Sequence, residues 1–176
     1  GLELVNSTTY YFSVRIKNSS GTILQTLKTD GVFIDTQSPV IASMQDGADN
    51  DVDWYGASSK AKIILNVTEN SGIANYEYSV GTEAGEKDIF NWFLGQDSVG
   101  FFDLSDLVEG TDYFANARVT DRVGFKSEVI STDGFRMDYG IPVAGTVSIK
   151  APFQSDTNNI IFTWQGFSDA LSGIGH

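Results

Sequence analysis

The sequence predicts an all-β chain of tandem antiparallel β-sandwiches, one complete copy flanked by two partial copies, and three observations carry that expectation. Residues 4–40 recur at 107–143 with a constant offset of 103 and no gaps, giving 12 identities in 37 positions, among them Leu4/Leu107, Tyr10/Tyr113, Gly21/Gly124, Asp35/Asp138 and Pro39/Pro142. A period near 100 residues is too long for one turn of a solenoid and matches one whole small β-sandwich. Apolar and polar residues alternate at period two, the mark of half-buried strands, and helical periodicity is absent apart from a short stretch at Asp103–Leu107 better read as a turn. Eighteen glycines, with frequent Asp, Asn, Ser and Thr between the apolar runs, supply the tight turns of such a fold.

Residues 1–38 read as the closing strands of a preceding domain: in Thr8–Asn18 the even positions Tyr10, Phe12, Val14 and Ile16 are apolar, while Ser13, Arg15 and Lys17 face the other way. Residues 39–142 read as the complete domain, with strands near 40–45, 60–68, 73–81, 89–94, 98–104, 111–121 and 126–137. There Lys62–Thr68 offers Ile63, Leu65 and Val67 on one face, Asn75–Val80 offers Tyr76, Tyr78 and Val80, and Thr111–Asp121 offers Tyr113, Ala115, Ala117 and Val119. Residues 143–176 read as the opening strands of a following domain, in which Ile160, Phe162 and Trp164 fall on Ile63, Leu65 and Val67. The connectors are Asp35-Thr-Gln-Ser-Pro39 and Asp138-Tyr-Gly-Ile-Pro142, where each Pro holds its predecessor extended. Connectors this short imply touching neighbours and a semi-rigid rod. The chain is thus expected to be a piece of a longer one, with neighbouring domains of that chain as its first partners.

Composition removes several function classes. The net charge of −12, from 23 acidic against 11 basic residues, repels phosphate backbones, so nucleic acid is not an expected partner. No cysteine is present, which excludes disulfides, thiolate metal sites and a Cys nucleophile. The sole histidine is His176, so no Ser-His or Cys-His dyad can be assembled, and the reading is of a non-enzyme. No apolar stretch reaches the length of a membrane span.

The densest chemical signal is Asp46-Gly-Ala-Asp49-Asn50-Asp51-Val-Asp53-Trp54. Hard oxygen ligands in a Gly-containing loop suit calcium, and four clustered carboxylates are costly without a neutralising partner. The EF-hand pattern is nevertheless broken, with Trp54 where its Gly belongs and Lys60 where its bidentate Glu belongs. Asp46, Asp49, Asp51 and Asp53 are therefore candidate calcium ligands or a solvated acidic loop; no other cofactor is expected. Ile89-Phe90-Asn91-Trp92-Phe93-Leu94 is either a strand covering the open edge of the core or an aromatic contact patch of Phe90, Trp92 and Phe93, to which Phe101 and Phe102 add. Asn6, Asn18 and Asn66 head N-glycosylation sequons. Ser98, in Asp97-Ser98-Val99, resembles an O-glycosylation triplet of some bacterial surface proteins.

Leu107-Val-Glu-Gly110-Thr111-Asp-Tyr113, followed by Ala115, Ala117 and Val119 and then Asp121-Arg-Val-Gly124, resembles the closing half of a fibronectin type III domain. In that family a Leu, a Gly-Thr pair and a Tyr build a tyrosine corner, its ring buried and its hydroxyl on a backbone partner. The first copy carries Leu4, Thr8, Tyr10 and Gly21, with Ser7 in place of the Gly. Trp164 sits where the family often has a core Trp, whereas the complete copy has Val67. The resemblance extends to fibronectin-like repeats of large cell-surface and secreted proteins, bacterial ones included; immunoglobulin-like or cadherin-like sandwiches are the alternative architecture. It implies a structural and adhesive segment, extracellular or at the cell surface, that meets other surface proteins or glycans. The rival implications are an accessory segment of a secreted enzyme, such as a polysaccharide hydrolase, and a receptor ectodomain.

Overall fold

The computed structural model describes residues 1–57, 60–153, 155 and 157–175, and every regular element among them is a strand; His176 lies outside the described residues. In chain order these are β1 (Thr8–Tyr10), β2 (Ser13–Lys17), β3 (Ile23–Lys28), β4 (Val32–Ile34), β5 (Val40–Asp46), β6 (Trp54–Tyr55), β7 (Lys60–Thr68), β8 (Ile73–Gly81), β9 (Phe90–Gly95), β10 (Val99–Asp103), β11 (Asp112–Asp121), β12 (Ile130–Ser131), β13 (Phe135–Met137), β14 (Thr146–Ile149) and β15 (Phe162–Gln165). The fold is all-β and sandwich-like. One sheet runs β10-β7-β5 and the other β6-β13-β11-β8-β9, with β12 also beside β11. Pairing is antiparallel throughout except for β6, which lies parallel to β13.

Both sheets feed one core. The inward faces read from the alternation are the buried ones: Ile63 and Leu65 on β7, Tyr78 and Val80 on β8, and Tyr113, Ala115, Ala117 and Val119 on β11. Burying each large side chain contributes about 1.5–3 kcal/mol. Tyr78 is fully buried, edge-on to Phe102 of the opposite sheet with ring centroids 6.3 Å apart, and its hydroxyl donates to the Asp97 carbonyl at 3.0 Å. A side chain at position 100 would collide with that ring, since a Cβ there would stand 2.9 Å from it, so this point of β10 must be glycine. Asn116 is buried on the outward face of β11. Its Oδ1 accepts from Gly85 N–H (2.7 Å) and the Ser131 hydroxyl (2.6 Å), and its amide donates to the Glu86 carbonyl, pinning the 82–88 loop over the sheet.

Tyr113 is 2 % exposed, and its hydroxyl accepts from Val108 N–H at 2.8 Å, one residue beyond buried Leu107. Gly110 turns between them at φ +71°. Tyr10 makes the same bond to Val5 N–H at 2.9 Å, and Ser7, in the position of that glycine, holds φ +56°.

The strands differ from the expected set in two places. The strand expected over 126–137 divides into β12 and β13, because Thr132 Oγ1 takes the Ala115 N–H (3.2 Å) and Gly134 turns at φ +110°. Within the acidic loop, Trp54 and Tyr55 form a strand that alternation did not announce. Trp164 is 67 % exposed on β15, which pairs with β14, and it packs on the Phe162 ring at 5.7 Å. The first copy's alternation likewise gives a hairpin, β2–β3, whose Val14, Ile16 and Leu27 are exposed.

Tyr113→Phe should lower stability by about 1 kcal/mol, the net worth of one such hydrogen bond, in denaturant unfolding followed by tryptophan fluorescence. Paired hairpins with exposed apolar faces are marginal in water. Limited proteolysis of residues 1–176 should therefore trim both ends and leave a resistant product spanning 39–141, identifiable by mass.

Candidate functional site

The acidic loop starts where β5 ends, with Asp46 opposite Ile63 of β7. Gly47 donates its N–H to the Lys62 carbonyl (2.8 Å) at φ +101°, and the chain folds back so that Val52 N–H reaches Asp46 Oδ1 at 3.3 Å. This brings Asp51 over Asp46, and the turn between β12 and β13 adds Asp133. One carboxylate oxygen from each of the three lies within 4.8 Å of the others. Asp49 and Asp53 are exposed and fall outside this group; Asp53 instead gives its carbonyl to Arg136 N–H at 2.9 Å. Asp133 was missed by sequence reasoning, although its place in the repeated Thr-Asp-Gly of residues 29–31 and 132–134 singled it out.

Asp46 is completely buried, and its Oδ2 has no hydrogen-bond partner; the buried Tyr55 hydroxyl also lacks one. Burial pushes the Asp46 carboxyl up to about 6, and the adjacent Asp51 adds to the rise. Burial and the same two carboxylates push Tyr55 up to about 12. Among the described residues no ion pair reaches this cluster. The arrangement can take up a proton or a hard cation, either of which relieves like-charge repulsion.

A second acidic group joins Asp35, just after β4, to Glu69 in the β7–β8 loop and Asp121 at the end of β11, again with ligand oxygens within 4.8 Å of one another. Glu69 and Asp121 were not foreseen. They are far apart in sequence, and only the sandwich topology brings the loop after the second long strand beside the end of the sixth.

The aromatic run divides by face. Phe93 packs edge-on against Phe102 (5.3 Å) and Phe90 stacks on it (6.4 Å), so both close the edge of the core. Trp92, on the other face, carries the Arg118 guanidinium 4.3 Å above its ring, and Arg118 is ion-paired with Glu77 at 2.8 Å. Leu94 and Phe101 remain exposed beside a shallow cleft of about 260 Å³. Of the sequon residues, Asn66 is exposed on β7 and Asn18 is an exposed turn residue, whereas Asn6 binds Thr36 N–H and Gln37 (both 2.9 Å). Ser98 is half-buried, with its carbonyl accepting from Leu65 N–H.

A set of hydrogen bonds recurs at the offset of 103. Thr29 Oγ1 and Thr132 Oγ1 accept from Phe12 and Ala115 N–H at 3.1 and 3.2 Å. The Ile34 and Met137 carbonyls accept from Ser7 and Gly110 N–H at 2.8 and 2.9 Å. Asn18 Oδ1 and Asp121 Oδ1 each cap the N–H groups two and four residues on, at 2.9–3.1 Å.

No protein-family model, curated protein or solved structure matches this chain. No helix among the described residues is long and apolar enough to cross a membrane.

Asp46 gives a pH test. Its folded pKa lies above the ordinary 3.8, so the stability contributed by its protonated form is present below about pH 4 and is lost as pH rises to about 6. In chelator-containing buffer, Asp46→Asn should therefore gain stability relative to the parent chain from pH 4 to pH 6 and hold a plateau above. The gain is up to about 3 kcal/mol. Urea unfolding at several pH values measures it.

Proposed function

We propose that residues 39–142 are one unit of a tandem fibronectin type III-like array, and that the segment is a non-catalytic structural and adhesive part of a large extracellular or cell-surface protein. The observation that carries this reading is the recurrence at one fixed offset of the tyrosine-to-backbone bond, the threonine bond and the Asx-capped turn. Equivalent hydrogen bonds at equivalent positions add to the sequence identities and favour the same local fold occurring twice. The division of the strands into two facing sheets supports it: the first, second and fifth long strands share one sheet and the rest the other, as in a β-sandwich. The exposed Leu94 and Phe101 offer a surface for another protein or a glycan. Under the same reading the Asp46, Asp51 and Asp133 cluster takes a calcium ion, supported by the partnerless buried oxygen of Asp46.

A structural spacer resists extension. Pulled from its two ends in single-molecule force spectroscopy, the chain should show one cooperative unfolding event from residues 39–141, releasing about 350 Å of contour length. Extension without a resisting event would overturn the structural reading.

A further inference from the structure

The Asp35, Glu69 and Asp121 cluster has features that acidity alone does not supply. Asp121 is 1 % exposed and Asp35 is 8 % exposed, and each keeps one buried carboxylate oxygen, Oδ2, without any hydrogen-bond partner. Their other oxygens are committed: Asp35 Oδ1 accepts from Gln37 N–H (3.1 Å), and Asp121 Oδ1 accepts from Val123, Gly124 and Phe125 N–H at 2.7–2.9 Å. Glu69 Oε1 is held by Asn70 and Ser71 N–H at 2.7 and 2.6 Å. Among the described residues none of the three is ion-paired; Arg122 instead lies over Gly72, its Nε 3.3 Å from where a Cβ would stand. Three converging carboxylates with two buried free oxygens require a neutralising partner.

The chain itself separates folding from charge at this place. Asn18, the equivalent of Asp121, caps its turn through Oδ1 as Asp121 does, so a carboxylate is not needed to build the turn. One of the three positions, Asp35, recurs downstream as Asp138, and a loop carboxylate, Asp169, lies close in sequence to the Ser172 that Asp138 binds. Asp138 Oδ1 accepts from Gly140 N–H (2.8 Å) and its Oδ2 from Ser172 N–H (3.0 Å), while Asp169 Oδ1 caps the loop at Leu171 and Gly173.

We propose that Asp35, Glu69 and Asp121 form a divalent-cation site suited to calcium, which ties the segment before Pro39 to the sandwich that follows. An irregular set of carboxylates completed by carbonyls and water fits the variable coordination of calcium better than the strict octahedron of magnesium. The binding claim stands on this geometry alone; its role as a lock between tandem domains rests on the array reading above, which the pulling experiment tests separately.

The test uses residues 1–176 stripped of metal, titrated with calcium chloride and, in parallel, magnesium chloride. Binding is followed by calorimetry, melting temperature and amide NMR shifts. About 5 mM calcium should raise the melting temperature by on the order of 5 °C, with affinity of roughly 0.1–1 mM and weaker binding of magnesium. Shifts should centre on the amides of Gln37, Ser71 and Val123. Asp121→Asn, which keeps the turn acceptor as Asn18 does, and the loop substitution Glu69→Gln should each weaken binding at these amides at least tenfold, while Asp46→Asn leaves them responsive. Absence of calcium heat, shifts confined to Gly47–Asp53 and Asp133, or unaltered binding by both variants would each overturn the proposal.

Discussion

Two sheets share one core only if something large spans the space between them, and here Tyr78 does so. Its ring crosses from β8 to meet Phe102 of β10, and its hydroxyl is satisfied by the Asp97 carbonyl at the far side, so a polar atom enters the core without an unpaired donor. Much else follows from that placement. Gly100 must lack a side chain, Ala115 and Ala117 of the neighbouring β11 are small where Tyr78 is large, and the turn carrying Asp97 is fixed in position. With β9 and β10 thus drawn together, Phe90 and Phe93 are committed to the core edge and leave only Leu94 and Phe101 to solvent. The surface available for contacts is a residue of the packing solution.

What was legible in the sequence was whatever short-range periodicity records. The inward faces of β7, β8 and β11 could be read residue by residue because side chains alternate across a strand. Tyr113 was legible because its hydroxyl reaches only five residues back, to Val108. The division between β12 and β13 was not, since it arises when the Thr132 hydroxyl replaces a ladder partner, a contact that spans 17 residues. The acidic loop was half-legible: Asp46 and Asp51 converge, but their third partner, Asp133, comes from a turn remote in sequence.

The two acidic groups lie at different levels along β7, one beside Ile63 and one just past Thr68. Six residues of strand separate them by about 20 Å. At that distance substitutions at one should add to substitutions at the other, and their charges are largely screened from each other in physiological salt. The two groups are therefore separate, although both use the same device of a buried carboxylate with one oxygen committed to backbone and one left free.

That device exposes a general feature of the repeat. Asn6 Oδ1 accepts from Thr36 N–H and Glu109 Oε1 from Tyr139 N–H, both at 2.9 Å and at equivalent positions, so each connector is clamped to the strands before it. Here the first copy has the amide and the second the carboxylate, as at Asn18 and Asp121. An amide and a carboxylate oxygen are interchangeable as acceptors for a backbone N–H but differ in charge and in what the second oxygen or nitrogen can do. The hydrogen-bond geometry is therefore the part of the pattern that the fold demands. The charge at those same positions differs between residues 6 and 109 and between residues 18 and 121 while the hydrogen bonds persist, so charge can change there without disturbing the local fold.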